Sequence, residues 1–314
     1  DMPYERISVE SIKEEMKALI QKLKKAKDFE EAETLFLENE KLQGHVFTMC
    51  NLALVRHSIN TEDKFYDEEE NYWNNAYPQI QEFNQEWTKA LLDSPFKDNF
   101  AKKYGNIMFL NAEIDLKTFS PEIIPMMQEE NELTTEYSKL LASAKIPWEG
   151  ENLNLSLMTP YLTAEDQDVR KKAWKAYTKF FEDNAEKLDS IYDALVKNRT
   201  EQGQMLGYPD FTEIGYARMN RNCYGEREIA SFRQQVKRDL VPFVQKLHER
   251  RRKRLGLDKL YYYDEGVFFK EGNPAPIGTP EEIMAAGQKM YDALSPETAK
   301  FMQDMMKMEL FDVL

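Results

Sequence analysis

The sequence predicts an all-α, multi-helical fold with one small β-hairpin or flap. Apolar residues recur every three or four positions through most of the chain, as on one face of a helix. Several segments begin with Ser, Thr or Asp followed by Pro or Glu, which is a helix-start signal. One stretch, residues 146–157, lacks the helical period. With 314 residues, of which 42% are hydrophobic, the chain can bury a core in one or two domains.

The composition excludes several classes of partner. A formal net charge of −14 argues against general binding to nucleic acid or to an anionic membrane. No apolar run approaches the roughly 20 residues that cross a bilayer, and the start of the chain lacks a signal-peptide pattern. We interpret Asp1 before Met2 as a cloning remnant. The two cysteines, Cys50 and Cys223, lie far apart, so we expect no disulfide framework and a cytoplasmic protein.

The first third of the chain predicts three helices and a short fourth. The apolar stripes are Ile12, Met16, Leu19 and Leu23; Leu35, Leu42, Val46, Met49 and Ala53; and Ala76, Ile80, Phe83, Trp87 and Ala90. Pro78 predicts a kink or break in the third helix. The acidic run Asp67–Glu70 is typical of a solvated helix face. Ser94 and Pro95 predict a cap and first residue for a short helix that ends near Gly105.

The middle of the chain is predicted to be helical from Ile107 to Ala144, with an interruption near Ser120 and Pro121. In IPWEGENLNLSL (146–157), Gly150 and Asn152 flank short alternating runs. This pattern predicts either a β-hairpin, which would form an extended flap, or an irregular loop, and the sequence does not favour one over the other.

Helices are predicted again from Thr163, which we expect to act as a cap. A long helix contains Pro242, and helix starts are predicted at Thr279-Pro280 and Ser295-Pro296. The last apolar stripe reaches Met308, and no Gly, Asn or Pro stop signal follows it. We therefore expect that this helix does not finish and that the 314 residues are part of a larger fold.

The histidines do not form a metal site in this sequence. His248 begins HERRR, which departs from the zinc motif HExxH because Arg252 cannot ligate zinc. The basic run Arg250–Arg254 instead suits the C-terminus of a helix that ends at Gly256. We interpret His45 and His57 as packing or surface residues.

The segment Gly215–Tyr224, GYARMNRNCY, is the most distinctive in the chain. It combines two tyrosines with two arginines, and these side chains can hold carboxylates and peptide carbonyls. Two interpretations remain open. The block either ties helices together through a network of Arg and Tyr side chains, or it lines a binding site.

The order of segments carries a resemblance to a known family. RHSINTEDKFYDEEE (56–70) precedes EENELTTEYSKLLASAKIPWEGE (129–151), and DVRKKAWKAYTKFFEDNAEKLDSIYDALVKNRT (168–200) precedes LGYPDFTEIGYARMNRNCY (206–224). Over essentially its whole length the chain resembles the oligoendopeptidase F group of the M3 zinc metallopeptidases.

The resemblance implies a helical, two-lobed enzyme whose deep channel admits short peptides. It implies zinc held by two histidines of an HExxH helix and by a later glutamate, all beyond Leu314, so no catalytic or metal-binding residue is expected in this chain. Residues 1–185 would form the N-terminal lobe with the flap, and residues 186–314 would begin the catalytic domain. We predict that Tyr216, Arg218, Arg221 and Tyr224 face the substrate channel.

The sequence therefore predicts the N-terminal portion of a zinc endopeptidase that cleaves oligopeptides, and we expect this portion to be inactive alone. The implied partners are short peptides and a C-terminal catalytic half, either covalent or separately encoded. The alternative is a non-catalytic α-helical scaffold or binding protein that lacks the metal half.

Overall fold

A computed structural model describes residues 2–311, and it confirms the all-α fold class. The helices are α1 (Val9–Leu23), α2 (Phe29–Ile59), α3 (Lys64–Leu92), α4 (Lys97–Tyr104), α5 (Ile107–Asp115), α6 (Ile124–Ala142), α7 (Thr159–Leu162), α8 (Gln167–Asp183), α9 (Ala185–Met205), α10 (Thr212–Arg218), α11 (Glu226–Gln235), α12 (Val241–Leu255), α13 (Pro280–Leu294) and α14 (Pro296–Lys307). The strands are β1 (Ile146–Trp148) and β2 (Glu151–Leu153). Residues 2–311 contain no helix with the length and apolar character of a membrane-spanning segment.

Helices α1–α5 share the larger hydrophobic core. The predicted stripes meet there, and its most deeply buried side chains include Ile12, Met16, Ile20, Trp73, Ile80, Phe100 and Phe109. A smaller core lies beneath the hairpin and contains Ile146, Met158, Leu162 and Ala173. The apolar periodicity therefore predicted the buried faces of the first helices.

The acidic run on α3 is not a solvated face, so that prediction was wrong. Glu69 is 2% exposed and Glu70 is 8% exposed. Glu69 accepts hydrogen bonds from the Arg6 guanidinium, with Nε at 3.0 Å. Glu70 contacts Nδ1 of the buried His57, whose Nε2 lies 3.5 Å from Asp67 Oδ1. The partners come from the N-terminal segment and from α2, and the local sequence of α3 does not reveal them.

Pro78 lies inside α3, which continues without a break from Lys64 to Leu92. A proline removes one backbone donor, and here the carbonyl left without it belongs to Asn74. Helix α6 replaces that donor, because Asn131 Nδ2 donates to Asn74 O at 3.0 Å. Gln128 Nε2 likewise donates to the next carbonyl, that of Asn75, at 2.8 Å. Packing against α6 therefore compensates for the proline.

The predicted long helix with Pro242 inside it runs without a gap from Glu226 to Leu255 as α11, a π-helical turn and α12. The segment Val236–Leu240 between them is a π-helical turn, and Pro242 stands at the start of α12. A wider turn relieves the clash between the proline ring and the preceding turn. At its other end α12 finishes as predicted, with Gly256 at φ 70° and Leu257 N donating to Arg252 O at 3.1 Å.

The predicted start signals of the last two helices are confirmed. Thr279 Oγ1 accepts from Glu282 N at 3.3 Å, and Glu282 Oε2 accepts from Thr279 N at 2.8 Å. Ser295 caps α14 in the same way by accepting from Thr298 N at 3.2 Å. Each cap satisfies a backbone donor that the first turn leaves unpaired.

Two other cap predictions were wrong. Asp166, and not Thr163, caps α8, with its carboxylate accepting from Asp168 N at 2.7 Å, because the short helix α7 uses residues up to Leu162. Helix α4 begins at Lys97 and not at Pro95. Ser94 Oγ closes the preceding turn instead, accepting from Phe96 N at 3.2 Å.

The last helix finishes, although its sequence lacks a stop signal. Helix α14 ends at Lys307, and Leu310 N donates to Met305 O at 3.0 Å. Glu309 takes the left-handed conformation, with φ 54°, at the position where glycine is usual. The hydrogen-bond pattern therefore closes the helix without the preferred residue.

Residues 146–157 contain a hairpin, which resolves the choice between hairpin and irregular loop. Ile146 pairs with Leu153 and Trp148 with Glu151 in antiparallel register. The two-residue turn consists of Glu149 at φ 49° and Gly150 at φ 93°. Positive φ at both positions is what a type I′ hairpin turn requires.

Candidate functional site

The distinctive block 215–224 occupies α10 and the turn that follows it, and one glycine allows α10 to pack where it does. The loop before α10 runs against Gly203 on α9. A Cβ atom on Gly203 would lie 2.3 Å from the carbonyl oxygen of Asp210. Tyr208 N donates to Gly203 O at 2.9 Å, and Asp210 Oδ1 then accepts from Thr212 N at 2.7 Å as α10 begins. Because Gly203 has no side chain, the backbone at Asp210 can lie against α9, and this close contact sets the position at which α10 begins.

Arg218, at the end of α10, belongs to a hydrogen-bonded network between three helices. It donates to Glu130 Oε2 of α6 at 3.1 Å and to Gln202 Oε1 of α9 at 2.5 Å. Arg199 Nε donates to the other oxygen of Glu130 at 2.7 Å. Gln202 Nε2 donates to Glu130 at 2.8 Å and to Asn198 Oδ1 at 2.7 Å. These contacts join α6, α9 and α10.

The Glu130 carboxylate is the centre of this network. Its burial raises its pKa, but the hydrogen bonds from Gln202 and Arg199 and the charge of Arg218 outweigh burial, so the net pKa lies below the ordinary 4.5. Glu130 therefore stays ionised and holds two guanidinium groups. A partly buried carboxylate paired in this way braces helices and carries no proton near neutral pH.

Arg221 is positioned by the turn that ends α10. Asn220 has φ 52°, Asn220 N donates to Ala217 O at 2.8 Å, and Arg221 N donates to Tyr216 O at 3.3 Å. This is the Schellman pattern, which brings the side chain after the left-handed residue back over the last turn. The Arg221 guanidinium carbon accordingly lies 4.4 Å from the centre of the Tyr216 ring and 5.6 Å from that of Tyr224.

A cavity of about 310 Å³ lies in front of this stack. Tyr216, Arg221 and Tyr224 form part of its wall, and Lys117, Glu213 and Glu226 add two negative charges and one more positive charge. Asn222 Nδ2 donates to Asn111 Oδ1 of α5 at 2.6 Å, which holds the turn against the neighbouring helix. The cavity thus combines aromatic surface with charged groups of both signs, a lining suited to a small polar ligand.

The structure brings three of the four predicted channel residues together and separates the fourth. Arg218 does not line the cavity and instead points into the network with Glu130. Sequence reasoning missed Glu130, Gln202 and Lys117, since all three lie outside the block and Glu130 is 88 residues before Arg218. The only local signal was Asn220, a residue that tolerates the left-handed conformation and could have indicated the turn.

Residues 2–311 contain no group of three or more His, Cys, Asp or Glu side chains arranged to hold a metal ion. The donor set of this part of the chain therefore does not fit a zinc centre, which needs three or four such ligands. What the described residues offer around the cavity is charge, hydrogen bonding and aromatic surface. These groups can bind and orient a ligand.

Two family models match the chain. The model of the Peptidase M3 N-terminal domain matches residues 1–119, and that of Peptidase family M3 matches residues 161–271. No curated protein sequence matches the chain.

Solved structures resemble the chain over its whole length. PZ peptidase A, solved with an inhibitor, is 41% identical with a TM-score of 0.97, and the match covers 100% of this chain and 56% of that one. A protein described as an oligoendopeptidase F from Bacillus anthracis str. Ames is 39% identical with a TM-score of 0.95, and the match covers 99% of this chain and 57% of that one. The chain therefore spans little more than half the length of these solved structures.

Proposed function

We propose that this chain, which belongs to the M3 peptidase family, is the N-terminal portion of a zinc metalloendopeptidase of oligoendopeptidase F type. The complete enzyme would hydrolyse internal bonds of short peptides inside an enclosed channel. The observation that carries the proposal is the match of both M3 models together with 41% identity to PZ peptidase A over the entire chain.

Exposed apolar surface supports the idea that further peptidase structure packs on this portion. Within residues 2–311, neither α11 nor α13 contains a buried residue. Large apolar side chains on and near α11–α14 are more than half exposed, namely Phe232, Phe243, Met290, Leu294 and Phe301. Contiguous exposed apolar surface usually marks a contact with protein. We infer that the C-terminal catalytic half, covalent or separate, covers these helices and supplies the zinc ligands.

We assign residues 1–185 to the N-terminal lobe and residues 186–314 to the beginning of the catalytic domain. The junction between α8 and α9 at Asn184 is the helix boundary that lies nearest to this division. We also assign the protein to the cytoplasm, because its cysteines, the buried Cys50 and the exposed Cys223, form no disulfide with each other.

In this proposal the block 215–224 has two roles. Tyr216, Arg221 and Tyr224 would meet peptide at the channel, since they line the cavity. Arg218 would act from behind by fixing α10 on α6 and α9. Arg218 would then affect peptide binding only through the position of its neighbours.

The test is peptide cleavage with and without the missing half. The 314-residue chain alone, with added zinc, should leave a quenched short peptide intact. Joined to the C-terminal portion of PZ peptidase A, it should cleave that peptide, and EDTA should stop cleavage. EDTA-sensitive cleavage by the chain alone would contradict the assignment of the metal centre to the missing half. A correctly folded chimera that binds peptide but never cleaves it would favour the scaffold alternative.

A further inference from the structure

We propose that Arg221 and the cavity in front of it bind the C-terminal carboxylate of a short peptide. This inference rests on the proposed peptidase function and names the part of the substrate that the cavity takes. Four observations carry it: the guanidinium lies over two tyrosine rings, it lacks an ionic partner, the cavity has a suitable size, and the charges on the cavity wall balance.

The Arg221 guanidinium makes cation–π contacts with two tyrosine rings. Its centre lies 4.4 Å from the Tyr216 ring and 5.6 Å from the Tyr224 ring. A cation–π contact uses the charge of the guanidinium and pairs none of its five N–H donors with an oxygen, so these donors remain available to an acceptor. A carboxylate accepts two such parallel donors, which gives a strong and well-oriented pair. The two aromatic contacts also reduce the side-chain freedom that binding would otherwise remove.

Arg221 has no ionic partner among residues 2–311, since no carboxylate oxygen there lies within 4.0 Å of its guanidinium. Arg218, three residues earlier, contrasts with it, because Glu130 and Gln202 occupy its donors at 3.1 and 2.5 Å. Arg218 therefore holds helices together, whereas the Arg221 guanidinium is available to form hydrogen bonds with a ligand.

The cavity wall selects among anions. Lys117 and Arg221 contribute two positive charges, and Glu213 and Glu226 contribute two negative charges, so the four charged side chains sum to zero. Such a lining has no excess positive charge to compensate phosphate or a polyanion, whereas Arg221 can pair with the single carboxylate of an otherwise neutral peptide. A volume of about 310 Å³ suits a terminal residue and excludes a folded protein surface. Apolar Ile114 and Ala217 on the same wall would contact the terminal side chain.

The test is calorimetric titration of the 314-residue chain with acetyl-Ala-Ala-Leu as the free acid and as the C-terminal amide. The acid should bind at least about tenfold more tightly than the amide, the usual size of a charge-assisted pair. Arg221→Gln should abolish this preference, and Arg221→Lys should retain part of it, because lysine keeps the charge without the fork. Arg227→Gln, on the exposed side of α11, is the matched control and should keep the full preference.

Two further ligands identify the source of the carboxylate. The amide acetyl-Asp-Ala-Leu-NH₂ should bind as weakly as the first amide, and inorganic phosphate should not compete with the free acid. Equal binding of acid and amide, including no binding of either, would overturn the proposal. Binding of the Asp-containing amide as tightly as the free acid, or competition by phosphate, would overturn it as well. The titration measures binding and not cleavage, so the two proposals can fail separately. A negative titration would refute the carboxylate site without bearing on cleavage by the chimera. A chimera that never cleaves would refute the peptidase proposal without changing the titration result.

Discussion

Glu130 on α6 accepts a hydrogen bond at 3.1 Å from Arg218, which lies 88 residues later in the chain on α10. This contact shows that one of the two arginines of the distinctive block is engaged in an ion pair within the fold. It also gives the block a structural role that can be separated from ligand binding.

Substitution Arg218→Ala should destabilise the fold. It removes donors from Glu130 and Gln202, which remain mostly buried, and we expect a loss of about 1–3 kcal/mol in the free energy of unfolding. Urea unfolding of the chain near neutral pH measures this loss. Arg227→Ala, which removes an exposed arginine of α11, should change stability by less than about 0.5 kcal/mol. Equal stability of the two variants would contradict a bracing role for Arg218.

The Glu130 carboxylate should make stability depend on pH in the acid range. Its pKa in the folded chain lies below the ordinary 4.5 of an unfolded glutamate, because its hydrogen bonds and neighbouring arginines outweigh its burial. Its stabilising contribution is therefore present above pH 4.5 and is lost as pH falls through the folded pKa. Unfolding free energies measured from neutral to acid pH should fall more steeply for the unaltered chain than for Glu130→Gln. Parallel curves would exclude Glu130 as a source of this dependence.

Asn220 should be replaceable by glycine but not by a β-branched residue. With φ 52° it occupies the left-handed region, which glycine adopts freely. We expect Asn220→Val to cost about 1–2 kcal/mol and to move Arg221 away from Tyr216, whereas Asn220→Gly should preserve both. Urea unfolding measures the first effect, and the NMR shift of the Arg221 side chain reports the second. An unchanged Arg221 chemical shift in Asn220→Val would show that the contact between Arg221 and Tyr216 does not depend on the turn at Asn220.

The buried pair of His57 and Glu70 should show strong coupling. His57→Leu leaves the Glu70 carboxylate buried without its nearest partner, and we expect a loss of about 3–5 kcal/mol. The double variant His57→Leu/Glu70→Leu should recover most of that loss, because it removes the unpaired charge. A double-mutant cycle of unfolding free energies tests this expectation. Strict additivity of the two single losses would contradict the coupling.

Gly203→Ala should disrupt the junction of α9 and α10. The new Cβ would lie 2.3 Å from Asp210 O, so backbone must move, and we expect a cost of about 1–3 kcal/mol. Gly44→Ala is the matched control, because Gly44 is also helical and no atom lies within 4 Å of its Cβ position. It should stabilise the chain by about 0.4–1 kcal/mol. Thermal unfolding of both variants should therefore give shifts of opposite sign.

Local chemistry predicted much of the fold because helix ends and apolar stripes are encoded within a few residues. The caps at Thr279 and Ser295 and the glycine stop at Gly256 are examples. The caps expected at Thr163 and Ser94 were wrong for local reasons, but the error on the acidic run arose because the deciding partner is remote. Glu69 is buried because Arg6 reaches it from 63 residues away, and nothing in the acidic run of α3 indicates that contact.

The sequence predicted the types of residue in the candidate site, but it did not predict how they are arranged in space. The sequence placed Arg218 and Arg221 together because they are three residues apart. The turn at Asn220 and the network around Glu130 give them different surroundings. Lys117, which lies on the cavity wall, has no relation in sequence to the block and becomes visible only after α5 packs beside α10.

Pro78 also determines how α3 and α6 recognise each other. The two adjacent carbonyls of Asn74 and Asn75 meet side chains spaced one helical turn apart, those of Asn131 and Gln128. If α6 slid by one turn along α3, both amides would lose these acceptors. The carbonyl that Pro78 leaves without a backbone donor therefore favours one alignment of α3 and α6 over alignments shifted by a helical turn.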